Sequence, residues 1–218
     1  MNKYIFSKKF FKKKNYNKII EFLRHNCNAE VGGYKIHNGN GDHCLQCPEE
    51  LFWLIKELKS HEKIKKFNSY LEFGYANGVT NTILNKFFNF NKIVAIDIVN
   101  PENISKNSFF ANLRFKNFIL LCGDSKSKFI KEQIKNNSKF DLMFIDGGHD
   151  YNTVNNDFNI AIENLNKNGI IIIHDIYASA CDGPSKLWME IKKNRKFYTK
   201  EYLCDKYYTQ YGIGYIKI

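Results

Sequence analysis

Residues 69–80 read Ser-Tyr-Leu-Glu-Phe-Gly-Tyr-Ala-Asn-Gly-Val-Thr, and this stretch decides the fold. A short apolar run leads into a turn that contains Gly74 and Gly78, and a helix is predicted from Thr80 onwards. Glycines allow the backbone of a turn to approach a ligand closely, because no Cβ intervenes. The first amides of a helix have no partner within that helix. The stretch therefore predicts a strand, a ligand-binding turn and a helix.

The charge and spacing of this turn indicate which ligand it binds. A dinucleotide site would show G-x-G-x-x-G and place a pyrophosphate at the start of the helix. Here the glycines are spaced as Gly74-x-x-x-Gly78, and a carboxylate, Glu72, lies just before them. A carboxylate suits a positively charged ligand, which favours S-adenosylmethionine with its ammonium and sulfonium groups. We expect these three residues to bind that cofactor.

Further apolar runs end in acids or polar residues. They are 92–97, which ends at Asp97, 118–122, which is followed by Asp124 and Ser125, 140–146, which ends at Asp146, and 169–174, which precedes Asp175. Ligands of open α/β sheets bind at the carboxyl ends of the strands. Asp97 is well placed to bind both ribose hydroxyls of a nucleoside. Asp124 and Ser125 are expected to face the adenine, to cap the next helix, or to do both.

Strand-like and helix-like segments alternate along most of the chain. Helices are predicted at 48–60, 78–89, 101–113, 125–136, 151–166 and 184–194, and strands at 69–73, 92–97, 117–121, 140–146, 169–174, 197–204 and 211–217. This alternation is typical of an α/β fold, a Rossmann-like, doubly wound and mostly parallel sheet with helices on both faces. No helix separates the last two strands, so they should form an antiparallel C-terminal hairpin.

Two motifs carry a resemblance to a known family. Leu71-Glu-Phe-Gly-x-x-x-Gly-x-Thr80 together with Phe144-Ile-Asp-Gly-Gly-His-Asp-Tyr151 resembles the class I S-adenosylmethionine-dependent methyltransferases, and within them the small O-methyltransferases of the macrocin and catechol types. The resemblance covers about residues 45–217 and includes the segment Gln46-Cys-Pro-Glu49. It implies a seven-stranded sheet with one antiparallel strand. It also implies methyl transfer to a hydroxyl of a small molecule, such as a sugar or a secondary metabolite.

The candidate reaction centre follows the fourth and fifth strands. Asp146 ends the fourth strand, and the resemblance implies a Mg²⁺ ion bound by Asp146 and Asp175. Ile176, however, stands where an asparagine or aspartate would complete the ligand set. His149 could be a general base, a role that suits a neutral imidazole near pH 7, or it could orient one of the carboxylates. His174 could be a ligand or a buried, hydrogen-bonded histidine, and both a metal and a general-base mechanism stay open.

The composition and one motif argue against a protein that acts on RNA. The net charge of +11 would fit an RNA-binding protein. However, only three of the 33 basic residues are arginines, and arginine is the side chain best suited to phosphate recognition. Asp-Gly-Gly-His also stands where base-methylating enzymes often carry Asn/Asp-Pro-Pro-Tyr/Phe. An RNA methyltransferase and a non-catalytic S-adenosylmethionine-binding protein remain the alternatives to a small-molecule enzyme, and a homo-oligomer is compatible with the sequence.

The N-terminal region is predicted to be an extension, residues 1–47, of a methyltransferase domain at 48–218. The segment 15–26 has the pattern of an amphipathic helix, which either packs on its own domain or lies on a membrane surface. The glycine-rich loop 31–45 is a candidate lid over the active site. No apolar stretch approaches the ~20 residues needed to span a bilayer, and no secretory signal precedes the domain, so we expect a cytoplasmic protein.

Six cysteines should be reduced in that compartment. His43-Cys44-x-x-Cys47, with His37 nearby, could form half of a zinc site. The other interpretation is two small, buried or half-buried thiols.

Overall fold

Helices and strands alternate along the described part of the chain. The computed structural model describes residues 15–36, 43–100, 117–137, 139–180, 182–206 and 211–218. The α-helices in these ranges are α1 (Tyr16–Arg24), α2 (Pro48–His61), α3 (Val79–Phe88), α4 (Lys128–Asn136), α5 (Tyr151–Asn164) and α6 (Asp182–Lys193). The strands are β1 (Ser69–Phe73), β2 (Lys92–Asp97), β3 (Phe118–Cys122), β4 (Phe140–Ile145), β5 (Leu165–His174), β6 (Tyr198–Tyr202) and β7 (Ile213–Lys217). The helix predicted at 101–113 lies outside these ranges.

The seven strands form one sheet in the order β3-β2-β1-β4-β5-β7-β6. Strands β1 to β5 pair in parallel, and β7 runs antiparallel between β5 and β6. The predicted doubly wound sheet, with its antiparallel C-terminal hairpin, is therefore confirmed. The strand order reverses between β1 and β4, and ligands of such sheets bind in the crevice at this switch point.

The core lies on both faces of the sheet. Side chains alternate between the two faces along each strand, so that Tyr70 packs with the cluster under α1, α2 and α3, whereas Leu71 packs with the cluster under α4, α5 and α6. Every residue of β1 and β4 is buried. Continuous burial explains why these strands are apolar along their whole length rather than at alternate positions.

Helix α1 packs on its own domain. Ile19 and Leu23 are fully buried in the cluster that also contains residues of α2. At the end of α1, the Arg24 guanidinium donates to a carboxylate oxygen of Glu49 at 2.8 Å. Within the described ranges, no helix has both the length and the apolar character needed to cross a bilayer. Residues 37–42 of the candidate lid lie outside those ranges.

Several element boundaries differ from the prediction by a few residues, and two of these differences have clear local reasons. Helix α4 begins at Lys128 rather than 125, because Ser127 is its N-cap and accepts a hydrogen bond from the Ile130 amide. Strand β5 begins at Leu165 rather than 169, and its first four residues are at least partly exposed. They lack the apolar run that marks the buried part of the strand, so periodicity did not detect them.

Candidate active site

A cavity of about 560 Å³ opens at the carboxyl ends of β1, β2, β3, β4 and β5. This volume is within the usual range for small-molecule and cofactor sites. Most of the predicted site residues line it, namely Gly74, Asp97, Asp124, Ser125, Asp146, His149 and Asp175. Two others, Glu72 and Gly78, are not among the lining residues.

The glycine turn is built around a close approach of two backbones. Gly74 has a positive φ of 85°, and a Cβ placed there would lie 2.0 Å from the carbonyl oxygen of Asp146. The amides of Gly74 and Tyr75 both donate to the Ile96 carbonyl, at 2.9 and 3.2 Å. Only glycine fits at this position, because β1, β2 and β4 all converge there.

Glu72 lies behind the turn rather than in the cavity wall. Its carboxylate is buried and accepts a 2.5 Å hydrogen bond from the Asn81 amide on α3. Burial raises the pKa of the Glu72 carboxyl well above its usual range. We propose that Glu72 acts on the cofactor site by joining β1 to α3 rather than by direct contact. Gly78, with a φ of 72°, is the N-cap of α3 and shapes the same turn.

The predicted ribose-binding and adenine-binding residues lie on the strands next to the turn. Asp97 ends β2, and its two carboxylate oxygens accept hydrogen bonds from the amides of Ala76 (2.7 Å) and Val99 (2.8 Å). Each oxygen keeps a further lone pair for a ligand hydroxyl. Asp124 accepts from the Lys126 amide at 2.8 Å, so it stabilises the turn before α4 while it lines the cavity.

Asp157 on α5 is a lining residue that sequence reasoning missed. Its side chain is 2% exposed, and burial raises its pKa to about 6, although a hydrogen bond with Ser125 acts in the opposite direction. It sits in the middle of a helix with no glycine or histidine beside it, so neither spacing nor motif distinguished it from a surface carboxylate. Its neighbour Ser125 connects it to the end of β3.

Replacing Asp157 with asparagine should stabilise the fold at pH 8 and have little effect at pH 4. An acid whose folded-state pKa is raised destabilises the protein as the pH rises from its unfolded value towards its folded value. The rise from 3.8 to about 6 corresponds to roughly 3 kcal/mol, so a gain of about 1–3 kcal/mol is expected above pH 6. Urea unfolding at both pH values measures it. An equal effect at pH 4 and pH 8 would contradict the assignment.

The candidate reaction centre is a chain of four ionisable side chains. His174 at the end of β5 is buried, and its Nδ1 lies 3.0 Å from Asp146 Oδ1 and 3.1 Å from Asp175 Oδ1. On the other side of Asp175, Oδ2 lies 3.1 Å from His149 Nε2. The sequence prediction that Asp146, His149 and Asp175 meet therefore agrees with this geometry. Gln46, from the segment before α2, donates to Asp146 Oδ2 at 2.8 Å.

The charges of this centre depend on one another. Burial disfavours the charged forms, but Asp146 and Asp175 together raise the pKa of His174 well above its usual value. In return, His174 and His149 hold the pKa of Asp175 below its usual range although it is buried. Burial raises the pKa of Asp146. The two carboxylates therefore favour the protonated form of His174, and the two histidines in turn favour the ionised form of Asp175.

The backbone positions Asp175 for a ligand. Its φ of 61° is unusual for a residue other than glycine, and such strain is concentrated at functional sites. Its Oδ1 has no well-aligned hydrogen bond, although it lies 3.1 Å from His174 Nδ1. Atoms of Asp146, His149 and Asp175 lie within 4.8 Å of one another, which suits a shared cation. Ile176 is buried and apolar, so it adds no ligand.

Two further residues lie close to the reaction centre. Asp150, not Asp146, is the N-cap of α5, where it accepts a hydrogen bond from the Thr153 amide at 3.0 Å. Asp146 is therefore not needed to cap the helix and remains available to the cavity. Tyr211 packs its ring against His174 at a centroid distance of 5.4 Å and also lines the cavity.

One protein family matches the part of the chain that contains most of these residues. Residues 71–176 match a protein family described as a methyltransferase domain. This range runs from β1 to the residue after Asp175 and so includes the glycine turn and the reaction centre. No curated protein matches the chain significantly.

Solved structures with the same fold cover between 77% and 95% of the chain. An O-methyltransferase from Bacillus cereus in complex with S-adenosylhomocysteine is 14% identical, with a TM-score of 0.59, and the match covers 95% of this chain and 92% of that one. The O-methyltransferase TomG from Streptomyces achromogenes, in complex with S-adenosylmethionine, is 11% identical, with a TM-score of 0.62 and coverages of 95% and 90%. An rRNA methylase from Streptococcus thermophilus is 12% identical, with a TM-score of 0.60 and coverages of 77% and 95%.

These structural matches share the fold at low identity, and the family match covers the residues that carry the site. Residues 71–176 therefore match a methyltransferase domain, and the chain has the fold of the solved O-methyltransferases.

Proposed function

We propose that the protein transfers the methyl group of S-adenosylmethionine to a hydroxyl of a small molecule, such as a sugar or a secondary metabolite. The main support for this proposal is the cluster of Asp146, His149 and Asp175 beside the glycine turn, where atoms of the three residues lie within 4.8 Å of one another. A hydroxyl must lose its proton during methyl transfer, and this cluster can accept one. The two O-methyltransferases of the same fold support this choice of acceptor.

Residues at one end of the cavity are assigned to cofactor binding, and residues at the other end to proton transfer. We assign cofactor binding to Gly74, Asp97, Asp124 and Ser125, which line the half nearest β1, β2 and β3. When bound, S-adenosylmethionine supplies an electrophilic methyl group on its sulfur. At the other end, His149 receives the proton of the acceptor hydroxyl, and the carboxylate of Asp175 orients the imidazole and stabilises its charged form.

The same residues fit a divalent cation. Asp146 and Asp175 supply two carboxylates, and His149 supplies one nitrogen. The Oδ1 atom of Asp175 has no aligned hydrogen bond, and a cation at this position would give it a partner. A cation at this position would lower the pKa of the acceptor hydroxyl. Mg²⁺ prefers oxygen ligands, so the nitrogen of His149 would make this site weaker for Mg²⁺ than one with a third carboxylate or amide.

Chelation should distinguish the two versions of the mechanism. If a cation takes part, EDTA is expected to stop turnover, and Mg²⁺ or Mn²⁺ is expected to restore it, while calorimetry shows that cofactor binding persists. If His149 acts as a general base without a cation, EDTA leaves the rate unchanged. Replacing Asp175 by asparagine should reduce the rate in both cases, because it removes a ligand in one and the partner of His149 in the other.

The general-base role also predicts a pH dependence. The hydrogen bond to Asp175 raises the pKa of His149 above its usual value. Since only the neutral imidazole accepts a proton, the rate should fall about tenfold per pH unit below this raised pKa and level off above it. His149→Gln should reduce the rate by about 10²–10⁴-fold and remove this dependence. The exposed His25→Gln variant is the control, and an unchanged profile in His149→Gln would exclude the base.

The acceptor class can be tested directly. The purified protein is incubated with S-adenosylmethionine labelled in its methyl group and with a panel of nucleotide-sugars, phenols, amines and RNA. We expect label transfer to a hydroxyl compound. Transfer to RNA or to an amine alone would refute the proposal, and cofactor binding without transfer to any class would identify a non-catalytic binding protein.

A further inference from the structure

The Cys44-x-x-Cys47 motif does not converge on one point. The Cys44 thiol lies 3.1 Å from the hydroxyl of Thr80 and forms a hydrogen bond with Cys27. The Cys47 sulfur instead lies near Glu49 and near Cys204, which follows β6. The two cysteines of the motif therefore belong to different clusters. They do not form half of a zinc site together.

Cys47, Glu49 and Cys204 together form a set of metal ligands outside the active site. One ligand atom from each lies within 4.8 Å of the other two, and all three residues are at most 9% exposed. The Cys47 sulfur lies 3.6 Å from Glu49 Oε2. With a Zn–S bond of about 2.3 Å and a Zn–O bond of about 2.1 Å, tetrahedral geometry separates such ligands by about 3.6 Å.

The surroundings hold this set in place. Arg24 donates to Glu49 Oε1 at 2.8 Å, which leaves Oε2 facing the Cys47 sulfur. The neighbouring carboxylate, Glu50, accepts a hydrogen bond from the Cys204 amide at 2.9 Å, so the backbone at Cys204 is fixed relative to α2. Contacts of this kind around the ligands orient them and strengthen metal binding.

We propose that Cys47, Glu49 and Cys204 bind a thiophilic divalent cation, with Zn²⁺ the expected ion. Two thiolates and one carboxylate carry three negative charges, which Zn²⁺ and the guanidinium of Arg24 together neutralise. Solvent takes the fourth position of the tetrahedron. A thiol must lose its proton to bind Zn²⁺, so binding releases protons.

The cation would connect the start of α2 to the segment that follows β6. That segment continues to Tyr211, whose ring packs on His174, and to Gly212, whose amide donates to Glu50 at 3.2 Å. A metal at this position would fasten Cys204 to the start of α2. It differs in ligand chemistry from the active-site set, which contains no sulfur.

Cobalt and zinc titrations test the proposal on the full chain after removal of bound metal with a chelator. We expect one equivalent of Co²⁺ to produce thiolate-to-cobalt charge-transfer absorption, which an Asp/His site cannot give, and Zn²⁺ to displace it. Cys47→Ser and Cys204→Ser should each lose the band, and Glu49→Gln should weaken binding at least tenfold. Two matched controls, Cys122→Ser on the exposed end of β3 and Asp175→Asn in the active site, should leave it unchanged.

A second measurement needs no variant. Bound Zn²⁺ should protect Cys47 and Cys204 of the wild-type protein from alkylation by a maleimide, as mapped by mass spectrometry, and should leave Cys122 reactive. Absence of the cobalt band, its persistence in Cys204→Ser, or a Cys47–Cys204 disulfide in the purified protein would overturn the proposal. None of these results depends on the methyl acceptor, so they are separate from the test of the proposed function.

Discussion

Replacing Asp146 by asparagine is expected to reduce methyl transfer by about 10²–10⁴-fold and to change cofactor affinity little. The carboxylate of Asp146 lies 3.0 Å from His174 Nδ1, and with Asp175 it raises the pKa of that histidine. Asparagine keeps the shape and the contact with Gln46 but removes the charge. The substitution would change the protonation of the reaction centre and would remove a ligand of any cation bound there. The end of the cavity that binds the ribose and the adenine would be unchanged.

Initial rates with labelled cofactor and the acceptor identified by the panel measure this effect, and calorimetry measures cofactor affinity. Asp150→Asn is the matched control, because Asp150 is four residues further along the same loop and caps α5 without lining the cavity. Asparagine caps a helix about as well as aspartate, so this variant should retain both stability and activity. Full activity in Asp146→Asn would refute both the metal and the general-base versions of the proposed mechanism.

The fold could be predicted from sequence because its signals are local. The central strands are short and apolar along their whole length, since both faces of the sheet are covered, and such runs are easily recognised. Asp97 and Asp146 lie at the ends of these runs, so the carboxyl edge of a parallel sheet was expected to bring them to one cavity. The structure places both in its wall.

What sequence reasoning missed depends on contacts between distant segments. The sequence did not indicate that Glu72 accepts a hydrogen bond from Asn81 on α3, and its contact with the cofactor stays a prediction. Asp157 enters the cavity from the middle of a helix. Cys47 and Cys204 meet because β6 returns to the start of α2, and no spacing in the sequence indicates that pairing. In each case the missing information was the direction of a side chain or a long-range contact.

Asp97→Ala is expected to weaken S-adenosylmethionine binding by about 1.5–3 kcal/mol, which is roughly 10–150-fold. The argument rests on its position at the end of β2, the second strand of the βαβ unit, where a carboxylate can accept hydrogen bonds from both ribose hydroxyls. The residue also accepts the amides of Ala76 and Val99, so its loss loosens the turn that borders the cavity. Both effects lower cofactor affinity, whereas the reaction centre is unchanged.

Isothermal titration calorimetry with S-adenosylmethionine and S-adenosylhomocysteine measures the sum of these two contributions, and the loss should be equal for both compounds because they share the ribose. Asp97→Asn keeps one carbonyl oxygen and should fall between the wild type and alanine, because one of the two oxygen acceptors survives. Glu132→Ala, which removes an exposed carboxylate from α4 outside the cavity, should bind both compounds like the wild type. If a folded Asp97→Ala protein binds the cofactor with wild-type affinity, Asp97 does not hold the ribose, and the orientation of the nucleoside in the cavity must be assigned to other residues.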